Sequence, residues 1–315
     1  MSKAKIRVLL ISGRVLGEHY YPLDNERIRR LLESTGRFEV KVTEEFNGCT
    51  ARTLRGYDLV FVNYDGAATR LRTPEAYDLP YVRWEAETEQ VLLEYVRQGG
   101  GMYAHHSTLT WADDMPEEFF ACWGITRSRR RWEPFMRNGY PGGDNGFDFK
   151  FTEENEFTRE LPDHIRVVRE DLYSNYVLDP DAQVKLLATA YVSSEPWKKN
   201  WDKINPRMLK NFGAGDSPVE KPEDLTGLDG EQPMAWINRY GEGRVFACTI
   251  GNDYETWNRI PYIVFLLRGI EWAATGEITI DPPDLSGAGR FRPWPYYDNL
   301  PDNCKTYRDV SSLYL

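Results

Sequence analysis

Short apolar runs alternate with amphipathic segments in the first third of the chain. Residues 6–12 form an almost continuous apolar run, typical of a parallel strand buried on both faces. Further strands are predicted at residues 38–43, 59–63 and 102–104. Residues 24–35 and 85–98 place their apolar side chains on one helical face, with Asp24 as a candidate N-cap and Gly36 as a candidate C-cap. This order predicts an α/β fold with a mainly parallel central sheet and right-handed crossovers.

The rest of the chain has a less regular pattern. Helices are predicted at residues 116–123 and 261–275, and strands at residues 165–169, 184–189, 234–239 and 244–249. A hairpin turn at residues 240–243 joins the last two strands. Long insertions at about residues 127–160 and 193–230 interrupt the pattern. We therefore predict one α/β domain over residues 1–279, followed by an extended Pro-rich and aromatic tail over residues 280–315.

Charge and cysteine content exclude several classes of protein. A net charge of -10 argues against nucleic acid and anionic membrane as partners. No apolar run approaches the roughly 20 residues that cross a bilayer. The N-terminus enters the first strand without a signal-peptide pattern, so we expect a cytoplasmic protein. The four cysteines are scattered without a C-x-x-C pair, which argues against a zinc ribbon or a disulfide framework.

Polar and titratable residues recur just after the predicted strands, at the sheet edge where open α/β sheets bind ligands. These residues are Glu18 and His19; Asn63, Tyr64 and Asp65; His105, His106, Trp111 and Asp114; and Asp253 and Trp257. Three of the four histidines in the chain belong to this set. Histidine transfers protons near neutral pH and ligates metals through a neutral nitrogen. The clustering predicts a functional centre around His105 and His106.

The two adjacent histidines receive different roles. In an extended segment the side chains of His105 and His106 should point to opposite sides, so one faces the site while the other packs behind it. We assign His106 to the site. A divalent metal would then be held by His106 and His19 with a carboxylate, rather than by both neighbours. No H-x-x-x-H or H-E-x-x-H spacing is present, so the metal stays an open question.

Several catalytic signatures are absent from the sequence. There is no G-x-S-x-G elbow and no P-loop. Gly13 and Gly17 do not form the G-x-G-x-x-G of dinucleotide-binding folds, so neither NAD nor FAD is expected. No cysteine follows strand 102–104, so a thiol nucleophile of the amidotransferase type has no residue to carry it.

Six short segments, spread over a region from about residue 5 to residue 278, carry a family resemblance. They are residues 99–108 (GGGMYAHHST), 158–162, 170–173, 236–246, 251–257 and 267–273. In this order they resemble the ThuA-like proteins, the trehalose utilisation family, whose G-G-G-h-h-G-h-H-x-x segment corresponds to residues 99–108. The resemblance rests on the ordered set rather than on any single motif.

The resemblance implies a flavodoxin-like fold of the class I glutamine amidotransferase type, with helices on both faces of the sheet. It places a histidine, here His106, where related folds have the nucleophilic cysteine. It also implies sugar catabolism, often beside oxidoreductases that make 3-keto sugars. The chain departs from the family pattern, because residues 155–156 (NE) replace His-Pro, residues 251–252 (GN) replace Gly-His, and Ala104 replaces a glycine. If the two family histidines assist catalysis or bind metal, this protein performs that step differently or not at all.

These observations predict an enzyme that acts on a sugar or a keto-glycoside. The reaction would be an acid/base elimination, hydrolysis or isomerisation, with or without a divalent metal. A 3-keto group acidifies the neighbouring C–H, so a base can remove that proton and the glycosidic oxygen can leave. We assign His106 as base or acid, and Asp114 or Asp253 as its partner. Substrate contacts are assigned to His19, Asn63 and Asp65, and a platform for the sugar ring to Trp111, Tyr173 and Trp257.

Two alternatives remain open. The missing cysteine and histidines are compatible with a non-catalytic protein that binds sugar or supports assembly. The histidines that remain are compatible with a metal-dependent hydrolase. The aromatic tail over residues 280–315 fits a homo-oligomer in which it docks on a neighbouring subunit, and it fits equally well a monomer that it wraps.

Overall fold

The computed structural model describes residues 4–13, 21–64, 83–110, 116–126, 135–137, 146–168, 170–173, 176–203, 220–224, 227–252 and 256–281. The strands are β1 (Ile6–Ile11), β2 (Phe38–Thr43), β3 (Leu59–Val62), β4 (Gly101–His105), β5 (Phe135–Arg137), β6 (Phe147–Phe151), β7 (His164–Val167), β8 (Asp171–Tyr173), β9 (Lys185–Val192), β10 (Gly230–Tyr240) and β11 (Gly243–Cys248). The helices are α1 (Tyr21–Ser34), α2 (Ala51–Leu54), α3 (Ala86–Arg97), α4 (Glu117–Trp123), α5 (Glu195–Asn200) and α6 (Ile260–Thr275).

The described strands form one large mixed sheet and one small ribbon. The large sheet has nine strands in the order β2-β1-β3-β4-β11-β10-β9-β6-β7, and β5 pairs with β8 in the ribbon. The neighbours from β2 to β11 are parallel, whereas those from β11 to β7 are antiparallel. The prediction of a mainly parallel sheet is therefore wrong. The confirmed hairpin turn gives β10 and β11 antiparallel directions, and β9 pairs with β10 and β6 in the same way although longer stretches of chain separate them.

Helices cover both faces of the parallel half of the sheet, as predicted. Along β1, Val8 and Leu10 pack into the cluster that contains α1 and α6. The alternate residues Leu9 and Ile11 pack into the cluster that contains α3 and α4. Both faces of β1 are thus buried, which explains its nearly continuous apolar sequence.

The helix α1 begins earlier than predicted and ends where expected. It starts at Tyr21, so Asp24 lies in its first turn and is not the N-cap. Gly36, with φ of 70°, follows the helix, and its N–H donates to the Glu33 carbonyl. This left-handed residue closes the helix without the penalty that a side chain would add.

The helix α6 carries two buried charged side chains that fix the segment after it. Arg268 donates to the Ile280 carbonyl over 2.9 Å. Glu271 accepts hydrogen bonds from Arg37 and from the backbone and hydroxyl of Thr279, each over 2.7 Å. These contacts bind residues 279–280 to the body of the domain.

Elements also lie in the two stretches predicted as insertions. The strands β5 and β6 fall within residues 127–160, and α5 falls within residues 193–230. The tail from residue 282 onward lies outside the described residues. No helix in the described part of the chain is both long enough and apolar enough to cross a membrane.

Candidate functional site

The site is built on the turn that follows the central strand β4. His106 has a φ of 45°, in the left-handed region, and begins the 3₁₀-helix His106–Thr110. Thr108 fixes this turn to the end of β3, because its hydroxyl donates to the Val62 carbonyl over 2.9 Å and accepts from the Tyr64 N–H over 3.2 Å. A left-handed histidine is strained, and such strain concentrates at functional sites.

Both histidines of the turn line one cleft. The prediction that one of them faces the site while the other packs behind it is wrong, since both line the cleft. Their neighbours still differ, because His105 packs against Phe61 and Trp257, whereas His106 lies against Tyr173. The ring centroids of His105 and His106 are 5.9 Å apart. The residues that line the cleft are Asp24, Arg27, Ile28, Asn63, His105, His106, Gly251 and Trp257. The cleft lies at the carboxyl ends of the parallel strands, as expected for this class of sheet.

The imidazole of His106 is held by a backbone carbonyl. Its Nδ1 lies 2.7 Å from the Thr249 carbonyl oxygen. Because a carbonyl only accepts, Nδ1 carries the hydrogen and Nε2 is the acceptor in the neutral ring. The Tyr173 hydroxyl lies 3.4 Å from Nε2, and a carboxylate oxygen of Asp171 lies 3.9 Å from it. All these side chains are buried.

Asp171 was not predicted as a site residue. The predicted partner carboxylates, Asp114 and Asp253, both lie outside the described residues, so their roles stay predictions. The only signal for Asp171 was its place beside Tyr173 in the family-like segment 170–173. That segment forms β8, which brings both side chains to His106.

Three of the predicted substrate-contact residues lie near the two histidines. Asn63 and Trp257 line the cleft, and the Tyr173 ring lies 5.0 Å from that of His106. The Trp257 indole packs edge-on against His105 and donates to the Gly251 carbonyl over 2.8 Å. Their roles in substrate contact stay predictions.

The other predicted site residues cannot be placed relative to these. His19, Asp65 and Trp111 lie outside the described residues, as does the proposed pairing of His19 with His106 around a metal. In the ranges that the structure describes, no group of three or more His, Cys, Asp or Glu side chains could hold a metal ion.

The helix α1 contributes two charged residues to the cleft that the sequence analysis did not assign to the site. Asp24 and Arg27 both line it. Burial raises the pKa of the Asp24 carboxyl to about 6, although the positive charge of Arg27 opposes this rise. Asp24 was considered only as a helix cap. Its place after the first strand, at the ligand-binding edge, was the signal for a site residue.

A buried carboxylate holds the opposite wall of the cleft. Glu170 accepts the backbone N–H of Gly251 over 3.0 Å and that of Asn252 over 3.1 Å. Gly251 has a φ of 127°, a conformation that side chains rarely adopt. Glu170 therefore fixes the turn after β11 in the conformation that brings Gly251 to the cleft.

A family model matches most of the chain. The family model described as "ThuA: Trehalose utilisation" matches residues 7–273. A protein described as ThuA-like from Parabacteroides merdae ATCC 43184 has a TM-score of 0.59 and 21% identity, over 89% of this chain and 94% of its own. Another from Bacteroides uniformis ATCC 8492 has a TM-score of 0.57 and 14% identity, over 88% of this chain and 95% of its own. These two structures support the fold alone. A search of curated protein sequences found no match.

Proposed function

The chain belongs to the ThuA family, described as trehalose utilisation, and from this premise we propose that it is an enzyme acting on a sugar or keto-glycoside by acid/base chemistry. His106 is the group that transfers the proton. We propose further that the parallel half of the sheet corresponds to a flavodoxin-like, class I glutamine amidotransferase-like core. In that core the turn after β4 carries a histidine in place of a nucleophilic cysteine.

The observation that most directly supports proton transfer by His106 is the hydrogen bond between His106 Nδ1 and the Thr249 carbonyl. It fixes both the tautomer and the orientation of the ring, so Nε2 is the nitrogen that accepts a proton. Asp171, 3.9 Å from Nε2, is close enough to stabilise the positive charge that forms when it does so. The Tyr173 hydroxyl at the same nitrogen is placed to contact a substrate oxygen.

The reaction that suits this arrangement is elimination from a 3-keto-glycoside. The keto group acidifies the C2–H, and His106 Nε2 takes this proton. The electron pair of the C–H bond forms the C1–C2 double bond, while the C1–O bond breaks and its electrons leave with the aglycone oxygen. That oxygen takes up a proton, so the products are the free aglycone and an unsaturated keto sugar. Addition of water to this product would complete a net hydrolysis.

The test is release of an aglycone from 3-keto-glycosides that carry a chromogenic leaving group. We expect His106→Gln to lower kcat by about 100-fold or more, because general base catalysis contributes roughly 10² to 10⁴. His164→Gln is the matched control, since His164 is an exposed histidine of β7 that pairs with Asp163 and lies outside the cleft lining. Its activity should equal that of the wild type.

Each alternative predicts a different result. Turnover that His106→Gln leaves unchanged would contradict the proposal. Binding of keto-glycosides without any turnover would favour a sugar-binding protein. Activity that disappears with a chelator and returns with a stoichiometric divalent metal would favour the metal-dependent hydrolase.

A further inference from the structure

We propose that Asp24 is a second catalytic group of the cleft, the acid that protonates the aglycone oxygen as the glycosidic bond breaks. His106 and Asp24 then act on neighbouring atoms of one substrate, and the aglycone lies on the side of α1. The proposal rests on the proposed function and deepens it, because it names the source of a proton that the elimination requires.

The helix α1 contributes one of its faces to the cleft. Asp24, Arg27 and Ile28 all line the cleft, and residues at positions i, i+3 and i+4 lie on the same side of a helix. His105 and His106 line the cleft from the end of β4 and the turn that follows it. A ligand that fills the cleft therefore contacts residues of α1 as well as the two histidines.

The carboxyl of Asp24 is half-buried, and the fold does not satisfy it. In the part of the chain that the structure describes, this carboxyl accepts no hydrogen bond, and the charge that acts on its pKa is that of Arg27. Polar groups that are removed from water are nearly always hydrogen-bonded. A carboxyl that the fold leaves open at a cleft is therefore a candidate for contact with a ligand.

Two fully buried carboxyls of the protein show the contrast. Glu271 accepts a hydrogen bond from Arg37 over 2.7 Å, and Glu89 pairs with Arg83. Each of these carboxyls joins two segments of the chain and is satisfied by its partner. Asp24 has no partner of this kind in the described ranges, so pairing within the fold does not account for a carboxyl at this place.

The helix dipole does not account for Asp24 either. A carboxylate in the first turn stabilises a helix only while it is ionised, whereas burial raises the pKa of Asp24 to about 6. The positive charge of Arg27 opposes this rise. The other titratable groups among the described lining residues are His105 and His106. Asp24 therefore exchanges its proton near neutral pH, where a general acid is most effective.

The proton balance of the elimination defines the role of Asp24. His106 Nε2 takes the C2 proton, and the electron pair of the C–H bond forms the C1–C2 double bond. The C1–O bond breaks, and the aglycone oxygen keeps its electron pair and takes the proton of the Asp24 carboxyl. The electrons of that O–H bond stay on the carboxylate, which the positive charge of Arg27 stabilises. Transfer of a proton from His106 to Asp24 through water then restores both groups.

Leaving groups of different basicity test this role directly. A methyl aglycone leaves as an alkoxide and needs a proton, whereas dinitrophenolate is a stable anion and leaves without one. We expect Asp24→Asn to lower kcat/KM about 100-fold or more for a methyl 3-keto-glycoside, because general acid catalysis contributes roughly 10² to 10⁴. For the dinitrophenyl 3-keto-glycoside, the loss should stay below about tenfold. NMR of the products follows both reactions.

Glu26→Gln is the matched control. Glu26 is a half-buried carboxylate of the same helix that pairs with Arg29 and Arg30 and lies outside the cleft lining. Its kinetics should equal those of the wild type with both substrates. Asparagine has nearly the same shape as aspartate, and urea unfolding verifies that Asp24→Asn is folded. If asparagine is not tolerated, Asp24→Ser also removes the carboxyl and should give the same difference between the two leaving groups.

The pH profile gives a second readout. Because Asp24 donates only while it is protonated, kcat/KM for the methyl keto-glycoside should fall as the pH rises through the pKa of Asp24. With ¹³C-labelled aspartate, the carboxyl signal that disappears in Asp24→Asn should titrate at about pH 6. The fall should be absent with the dinitrophenyl substrate and in Asp24→Asn. A carboxyl of Asp24 that titrates at the ordinary value of 3.8 would overturn the proposal.

The kinetic outcomes separate this proposal from the proposed function. A wild-type protein that turns over neither substrate would overturn both. Turnover that depends on His106, with equal losses for the two leaving groups in Asp24→Asn or with no loss at all, would overturn the acid role of Asp24. That result would leave proton transfer by His106 standing. A loss that is large only for the methyl aglycone would support both.

Discussion

Replacing Asp24 with asparagine should stabilise the protein at neutral pH and leave its stability nearly unchanged in acid. Asp24 lies half-buried in the first turn of α1, and burial raises its pKa from 3.8 to about 6 against the opposing charge of Arg27. The folded protein therefore binds this proton more tightly than the unfolded chain does. The stabilisation from that proton is full below the unfolded pKa, and it is lost as the pH rises through about 6.

The size of the effect follows from the difference between the two pKa values of Asp24. About two pKa units at about 1.4 kcal/mol each set a ceiling near 3 kcal/mol. Because the side chain keeps some contact with water, screening reduces this value, and we expect about 2 kcal/mol. Asparagine has nearly the same shape and cannot ionise, so Asp24→Asn should gain this amount at about pH 7.5 and almost nothing at about pH 4.

Urea unfolding of both proteins at intervals from about pH 4 to about pH 8 measures the difference. A constant difference across this range, or a less stable variant at neutral pH, would refute the reasoning. Loss of keto-glycoside turnover in a stabilised variant would identify a carboxyl that is retained for function at the expense of stability.

Two further substitutions test the supports of the site and of the fold. Gly251→Ala should cost at least about 2 kcal/mol in urea unfolding and shift the His105 ring signals, because φ is 127° and the added carbon would meet His105 Cε1. Glu271→Gln should cost about 2 kcal/mol near neutral pH, with the difference shrinking in acid. Burial raises the pKa of Glu271, but hydrogen bonds from Thr279 and Arg37 outweigh it and leave the pKa below 4.5, so this stabilisation is lost as the pH falls through the folded value. An unchanged stability of Gly251→Ala would contradict the first prediction. A loss of stability in Glu271→Gln that does not depend on pH would contradict the second.

The parallel half of the fold could be predicted because a strand that is buried on both faces has a nearly continuous apolar sequence. The strand β1 is apolar at every position except the exposed Arg7, and the helix α3 is apolar on the face that it buries. In the antiparallel half, no local sequence pattern identifies the partner of each strand, because β9 pairs with β10 and β6 across long stretches of sequence. Local pattern fixes which residues form a strand but does not choose its partner.

The candidate site, like the fold, could be predicted from the sequence only in part. The position of His106 after a buried strand could be identified in the sequence, since it depends on where the strand ends. The entry of both histidines into one cleft could not, since it depends on the turn that begins at His106 with a left-handed φ. Asp171 was missed for a further reason: it reaches His106 from β8, an element that is distant in sequence from β4 and that the parallel arrangement of strands does not place.

The segment that follows β11 organises both histidines, and it does so through the backbone. The Thr249 carbonyl holds His106 directly, and Gly251 lies against the edge of the His105 ring with no room for a Cβ atom between them. Thr249 is itself fixed, because its N–H and its hydroxyl both donate to the Met234 carbonyl of the neighbouring strand β10. The next two N–H groups of the segment are held by Glu170. The pattern that resembles the family has a histidine where this chain has Asn252. Apart from the Thr249 hydroxyl, all of these contacts use backbone atoms of the segment. The side chain at position 252 therefore makes none of the contacts that hold His106 and the turn after β11.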